Sequence, residues 1–186
     1  MTFSVHSRDG ADTGAGRLLT DFASAETDLG WFVVNDNVMG GRSEGDFTVE
    51  QGELYFSGST NTRGGGFSSI RTPAMRLDLS EYDGIRLRVR GDGRRYTWRL
   101  TTNARWWGRQ ISYWADFETE EGAWTTIDIP FSRFVARFRG ARLDGPPLDQ
   151  AQITGMGLMI YDKRDGPFEL RLASVHAYPA QAVAAN

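Results

Sequence analysis

Alternation of apolar and polar side chains is the feature that most constrains how this chain of 186 residues can fold. Apolar residues occupy every second position over 85–89, and an arginine follows each of them. The same alternation returns over 96–100, after the turn sequence Gly-Asp-Gly at 91–93. A two-residue period is typical of a strand with one buried face. The pattern therefore predicts a β-hairpin over residues 85–102.

Short segments of similar character run along most of the chain, separated by Gly, Asp and Pro residues that favour turns. They predict further strands over residues 18–22, 31–34, 47–49, 53–57, 66–71, 111–117, 124–129, 155–161 and 168–178. The helical period occurs once, after Pro130, and predicts a short helix or turn that closes one end of the fold; its apolar residues are Phe131, Phe134, Val135 and Phe138. The expected architecture is all-β, an antiparallel jelly roll or β-sandwich of two sheets.

The length and composition suit one compact domain with a substantial core, since 40% of the residues are hydrophobic and 12% are aromatic. We expect this domain to span residues 17–179. The flanking segments 1–16 and 180–186 consist mostly of small and polar residues, which predicts flexible tails.

Several classes of function are disfavoured by the composition. The chain has no cysteine, so disulfides, thiolate metal ligands and thiol nucleophiles are excluded. Its longest apolar runs have four residues, far below the roughly 20 that a membrane-spanning helix needs. A net charge of -3 gives no general attraction to nucleic acid or to an anionic membrane. We expect no cofactor, no bound metal and no nucleic-acid partner.

The amino-terminal residues lack both the apolar core of a secretory signal and the arginine-rich composition of a transit peptide. We therefore expect a cytoplasmic protein. Lys163 is the one lysine among the 21 basic residues, a bias towards arginine that suggests a bacterial host with a GC-rich genome.

An apolar strand at 31–34 leads directly into three side chains with amide or carboxylate oxygens, Asn35, Asp36 and Asn37. Such side chains commonly accept hydrogen bonds from backbone N–H groups in tight turns, and Gly40 and Gly41 permit the positive φ angles that turns need. The alternative is an oxygen-ligand site for calcium, although the spacing and the closing Glu of an EF-hand are missing.

The sequence Gly-Arg-Ser-Glu-Gly at 41–45 matches the pattern of a hydrolase nucleophile elbow around Ser43. An elbow needs a helix after the serine, whereas residues 46–49 alternate as a strand. His176 is the one plausible general base, and nothing in the sequence brings it to Ser43. We therefore expect a protein without catalytic activity.

Glycines at 64–66 resemble a phosphate-binding loop only in composition, because a strand rather than a helix follows them. The structural interpretation is a bend at which another segment of backbone approaches closely, with Gly66 in the bend. Arg71 lies shortly after this bend, and its guanidinium group is a candidate for a bidentate contact with a carboxylate such as that of Asp36.

Aromatic density is highest between Trp98 and Trp124. In the predicted strand 111–117 the apolar alternation points inward, so Trp114 belongs to the opposite face. Together with Arg105, the tryptophans Trp106, Trp107 and Trp114 form a candidate contact surface for sugar rings or for a protein partner. The alternative is that Trp106 and Trp107 fold over an edge of a sheet as a plug.

Five motifs together resemble the complex I intermediate-associated protein family. They are Trp31 with Asn-Asp-Asn-Val-Met-Gly-Gly-Arg-Ser at 35–43, Gly-Gly-Phe-Ser-Ser-Ile-Arg at 65–71, Trp124 with Ile-Pro-Phe-Ser-Arg-Phe at 129–134, Phe-Arg-Gly at 138–140, and Asp-Lys at 162–163 with Gly-Pro-Phe-Glu-Leu at 166–170. The resemblance covers residues 17–178. It implies a galactose-binding-domain-like jelly roll. It also implies a role as a non-catalytic assembly factor, or chaperone, for respiratory NADH:ubiquinone oxidoreductase, and it supplies no catalytic residues.

The sequence therefore predicts a protein-binding domain whose partners include subunits or intermediates of respiratory complex I. The alternative is a carbohydrate-binding module of the same fold. We expect one shared polar cluster of binding residues, formed by Asn35, Asp36, Asn37, Gly40, Gly41, Ser43, Gly66 and Arg71.

Overall fold

The structure, a computed structural model, describes residues 16–24 and 28–180. Its strands are β1 (Arg17–Thr20), β2 (Phe32–Asn35), β3 (Glu44–Glu50), β4 (Glu53–Thr60), β5 (Ser68–Arg71), β6 (Gly84–Arg90), β7 (Tyr96–Trp106), β8 (Arg109–Phe117), β9 (Trp124–Pro130), β10 (Val135–Phe138), β11 (Ala141–Arg142), β12 (Ile153–Ile160) and β13 (Gly166–Tyr178). Nearly all of the two predicted tails lies outside the described residues, so the tails stay a prediction.

The strands form two antiparallel sheets. The first sheet has the order β3-β4-β13-β6-β9, with β1 paired to β13, and the second has the order β11-β10-β8-β7-β12-β5-β2. The inner faces of both sheets supply the core, in which the side chains of Phe56, Ile85, Trp98 and Leu158 are fully buried. This two-sheet β-sandwich confirms the predicted fold class.

The predicted hairpin over residues 85–102 is wrong. β6 pairs with β13 and β9 in the first sheet, whereas β7 pairs with β8 and β12 in the second. The segment between them crosses from one sheet to the other. The alternation still reports burial correctly in both strands. β6 buries one face in the core from the first sheet, and β7 buries one face in the same core from the second sheet. A two-residue period shows which face is buried but not which strand lies alongside.

Arg94 fixes this crossing with a buried network of hydrogen bonds. Its guanidinium group bonds both carboxylate oxygens of Asp162, at 2.8 and 2.7 Å. It also donates to the hydroxyl of Thr60 and to the carbonyl groups of Arg164, Gly166 and Pro167. Burial raises the pKa of Asp162, but the hydrogen bonds and charge of Arg94 outweigh it, so the pKa lies below its usual value. The link between the sheets is thereby joined to the loop after β12.

The segment after Pro130 is less helical than its spacing predicts. A single turn of 3-10 helix covers Phe131–Arg133, and the following residues form β10 at the edge of the second sheet. Phe131 and Phe134 are buried, with ring centroids 6.3 Å apart. Both rings belong to the core, whereas residues 135–138 take the extended conformation because β10 pairs with β8.

Candidate functional site

The carboxylate of Asp36 is fully buried and joins two loops. It accepts hydrogen bonds from the backbone N–H of Ser43 at 2.9 Å, the Ser43 hydroxyl at 2.6 Å and the backbone N–H groups of Gly66 and Phe67 at 2.7 and 3.3 Å. The backbone N–H of Asp36 donates to the carbonyl group of Phe67. The sequence at 35–43 thus folds as a turn because one carboxylate satisfies four donors from two segments.

Two glycines allow this carboxylate to sit between the loops. A Cβ atom on Gly41 would overlap the carboxylate carbon of Asp36, and one on Gly65 would lie 2.6 Å from the Asp36 Cβ. Gly40 has a φ of 81° at the end of the 3-10 turn Asp36–Met39. Gly41 and Gly65 are therefore required by the close approach of backbone to a buried carboxylate, whereas Gly40 is favoured by its positive φ.

The predicted contact between Arg71 and Asp36 is wrong. Within the described part of the chain, the donors to the Asp36 carboxylate all come from the two loops. Arg71 is the last residue of β5, and its neighbour Ile70 is fully buried in the core. Because neighbouring residues of a strand point to opposite faces, a buried Ile70 requires Arg71 to point outward. Arg71 belongs to a different site.

The three side chains considered for calcium do not converge. Asn35 donates to the carbonyl group of Gly45 and accepts from the hydroxyl of Ser68. Asn37 is exposed. Among the residues that the structure describes, no group of three or more His, Cys, Asp or Glu side chains could hold a metal ion. The segment is organised around hydrogen bonds to Asp36.

Ser43 is likewise tied into this turn. Its hydroxyl donates to Asp36 and accepts the backbone N–H of Asn61 at 2.9 Å. The residues after it form β3, as the alternation predicts, and not a helix. His176 lies on β13, paired with Arg86 and Leu18. The arrangement has the contacts of a structural serine rather than those of a nucleophile elbow.

A large cleft lies on the outer face of the second sheet, and we refer to it as the cleft. It has a volume of about 1230 Å³ and runs across β5, β12, β7, β8 and β10. Gly157 pairs with Arg71 on one side and with Arg99 on the other. Gly155 and Gly157 lie on β12, between β5 and β7. Because these two glycines carry no side chains, β12 leaves a trough between the side chains of β5 and β7.

Among the described residues, five arginines and no acidic residue line the cleft: Arg71, Arg99, Arg105, Arg137 and Arg139. The four ion pairs among the described residues involve none of them. Burial lowers the pKa of Arg71. Burial, and then the positive charge of Arg71, lower the pKa of Arg99 to about 9. The Nε atoms of Arg71 and Arg137 are buried and have no hydrogen-bond partner within the described part of the chain.

Aromatic side chains lie beside these arginines. Trp114 is paired with Arg99 in register and makes an edge contact with Tyr161, with ring centroids 5.9 Å apart. The guanidinium group of Arg137 stands over the Trp114 ring at 5.3 Å. Trp114 therefore faces away from Tyr113, which is buried, as the alternation in this strand predicts.

The predicted tryptophan surface is divided between three environments. Trp107 is 84% exposed in the turn between β7 and β8. Trp106 is partly buried against the core and makes an edge contact with Trp107 at 6.0 Å, whereas Trp114 and Arg105 line the cleft.

The sequence reasoning missed Arg99, Arg137 and Tyr161. For Arg99, the signal was its place on the same face of a strand as Thr101 and Arg105, but nothing local shows that Arg71 lies nearby.

Comparison with known families gives one extensive match. A model of the family described as Complex I intermediate-associated protein 30 (CIA30) matches residues 20–172. A mouse protein named "Complex I intermediate-associated protein 30, mitochondrial" is 28% identical over 177 residues, which cover 84% of this chain and 54% of the mouse protein. An uncharacterized protein of Schizosaccharomyces pombe is 31% identical over 169 residues, covering 78% of this chain and 76% of that protein. The chain thus spans about half the length of the mouse relative.

Solved structures with a similar fold include a family 11 carbohydrate-binding module of a cellulosomal cellulase from Clostridium thermocellum. Its TM-score is 0.65 at 18% identity, with 88% of this chain and 95% of the module covered. A family 11 carbohydrate-binding module from Clostridium thermocellum in complex with a beta-1,3-1,4-mixed-linked tetrasaccharide has a TM-score of 0.66, also at 18% identity, with 89% of this chain and 97% of the module covered. At this level of identity the similarity concerns the β-sandwich alone. Among the residues described, no helix is long and apolar enough to cross a membrane.

Proposed function

This chain belongs to the Complex I intermediate-associated protein 30 family, and from that membership we propose that it is a non-enzymatic assembly factor that binds subunits or intermediates of respiratory complex I. The observation that carries the proposal is the family match over residues 20–172, which includes most of both sheets. The name of the mouse relative supports an association with complex I intermediates. The proposed location is the cytoplasm.

The geometry supports protein binding at the turn between β7 and β8. Trp107 is 84% exposed there, although a side chain of this size is usually largely buried in a folded protein. Exposed tryptophans often anchor protein interfaces, because burying one on binding removes a large apolar area from water. We place the centre of the partner-binding surface at Trp107.

The test is affinity capture of the tagged chain from detergent-solubilised membranes of its own host, followed by mass spectrometry. We expect complex I subunits to be enriched over a tag-only control. Trp107→Ala should reduce their recovery without changing the unfolding temperature. Val49→Ala is a matched control, because Val49 is an exposed apolar side chain on β3 of the other sheet.

A genetic experiment gives an independent readout. Deleting the gene should cause complex I subassemblies to accumulate on native gels, and the Val49→Ala gene should restore the mature complex. A deletion strain with normal complex I, together with a capture that contains no complex I subunit, would contradict the assembly role.

A second candidate function is binding of a neutral carbohydrate in the cleft. The observation that favours it is the pair of aromatic side chains Trp114 and Tyr161 at the cleft, since aromatic rings commonly stack against sugars. The mixed-linked tetrasaccharide bound by the family 11 module is a suitable probe. Calorimetric titration should show binding that Trp114→Ala abolishes. Heat changes indistinguishable from buffer would contradict this second function.

A further inference from the structure

The cleft combines a high positive charge with guanidinium groups that form no ion pair among the described residues. A half-buried charge is costly unless an opposite charge or a set of acceptors compensates it. Elsewhere in the described part of the chain this rule is obeyed, as the bonding of Arg94 to Asp162 and to three carbonyl groups shows. In the cleft, neither Arg71 nor Arg99 forms an ion pair with any of the described residues, and the buried Nε of Arg71 has no hydrogen-bond acceptor among them.

Arg71 and Arg99 flank the same part of the cleft, because Gly157 lies between them and has no side chain to separate them. A Cβ atom on Gly157 would lie 3.4 Å from the Cγ of Arg71 and 3.5 Å from the Cβ of Arg99. Both side chains therefore leave the sheet next to Gly157 and line the same cleft, and the positive charge of Arg71 lowers the pKa of Arg99. Like charges so close together repel each other, and the repulsion is relieved when an anion binds between them.

We propose that the cleft binds a small organic phosphate, a phosphate ester on a sugar or nucleoside ring, with the phosphate between Arg71 and Arg99. A phosphate ester carries up to two negative charges and three terminal oxygens on one atom, so both planar forks can bond it at once. A single carboxylate has one charge and would leave the pair uncompensated.

The surroundings of the arginine pair fit the ring of such a ligand. Trp114 lies beside Arg99 and offers an aromatic surface next to Tyr161. The hydroxyl of Thr101 and the exposed amides of Asn103 and Gln110 line the same cleft, and they can bond hydroxyl or ring nitrogen atoms. The proposed ligand is therefore held by charge at one end and by stacking and hydrogen bonds at the other.

Calorimetric titration of the purified chain at low ionic strength tests the proposal with separate probes. The probes are glucose 6-phosphate, AMP, inorganic phosphate, glucose and a hexaglutamate peptide. We expect at least one of the two esters to bind more tightly than both inorganic phosphate and glucose. Preference between glucose 6-phosphate and AMP distinguishes a sugar phosphate from a nucleotide.

Matched variants locate the binding. Arg71→Met and Arg99→Met keep an unbranched side chain, and each should weaken the preferred ester by about tenfold or more, as expected for loss of a charged hydrogen-bonding partner. Arg88→Met removes the same charge from an exposed position on the other sheet and should change affinity less than about twofold. Circular dichroism and thermal unfolding verify that each variant is folded.

Three outcomes would overturn the proposal. The first is absence of binding by both esters. The second is ester binding that Arg71→Met and Arg99→Met leave unchanged. The third is hexaglutamate or inorganic phosphate binding at least as tightly as the esters, which would indicate an acidic peptide or a bare anion. These tests use the purified chain alone, so their outcome is independent of whether complex I subunits are captured.

Discussion

The hydroxyl of Ser43 donates a 2.6 Å hydrogen bond to the buried carboxylate of Asp36. The two residues belong to the motif that is most characteristic of this sequence, and their contact explains the motif in physical terms. Asp36 binds the turn at 41–43 to the loop at 65–67 through one carboxylate. The motif is therefore organised for stability, and its loss should affect folding before it affects any partner.

Asp36→Ala should destabilise the protein strongly, because it leaves the buried N–H groups of Ser43 and Gly66 without an acceptor. We expect a loss of at least about 3 kcal/mol in the free energy of unfolding, since each buried donor without a partner costs about 1–3 kcal/mol. Asp36→Asn should cost less, as its remaining oxygen still accepts. Chemical denaturation measures both. Equal and small losses would contradict the structural role.

Gly41→Ala should also be destabilising, because the added methyl group overlaps the Asp36 carboxylate. Gly40→Ala is the matched control: its side chain would meet open space, so only the strain of a positive φ remains, about 1–2 kcal/mol. In an Asp36→Ala background the cost of Gly41→Ala should fall, because the overlapping group is gone. A double-mutant cycle measures this coupling, and strict additivity would refute the contact.

Arg94→Met should cost about 3–5 kcal/mol, because it leaves the buried carboxylate of Asp162 without its cation. Arg86→Met removes the exposed pair with Asp128 and should cost about 1 kcal/mol or less. The difference between the two variants in urea denaturation tests whether burial decides the effect. The lowered pKa of Asp162 means that its stabilisation is present above the unfolded pKa and is lost as the pH falls through the folded pKa.

His176 should make the protein less stable in mild acid. Burial, and then the charge of Arg86, lower its pKa, while Asp21 opposes them. The unfolded chain therefore takes up a proton at a higher pH than the folded protein, so stability falls as the pH drops below about 6.5. His176→Gln should flatten this dependence between about pH 7.5 and about pH 5. Denaturation midpoints across that range test it, and an unchanged slope would count against it.

Arg99→Met should raise the stability of the unliganded protein. The substitution removes a half-buried charge that repels Arg71 and forms no ion pair among the described residues, while it keeps most of the unbranched side chain. Arg88→Met, at an exposed position, should leave the unfolding temperature nearly unchanged. Differential scanning calorimetry in phosphate-free buffer measures both. A fall in the unfolding temperature of Arg99→Met would indicate that Arg99 serves the fold.

Much of the fold could be predicted from local patterns. The alternation placed most strands within a few residues, and the opposite faces of Tyr113 and Trp114 follow from it. The predicted family is confirmed by the match over residues 20–172. The hairpin at 85–102 failed because two strands joined by a short turn can enter different sheets when each has one face against a shared core.

In strands such as β6 and β8, the sequence by itself determined which side chains face the core, because that depends on a period of two residues along the backbone. It also determined where glycines and acidic turns interrupt the strands. The tertiary structure alone decided that Arg71 and Arg99 share one trough, since β12 separates them in the sheet and pairs with both through Gly157. Such a juxtaposition depends on the order and register of strands that are distant in sequence, and no local pattern encodes it.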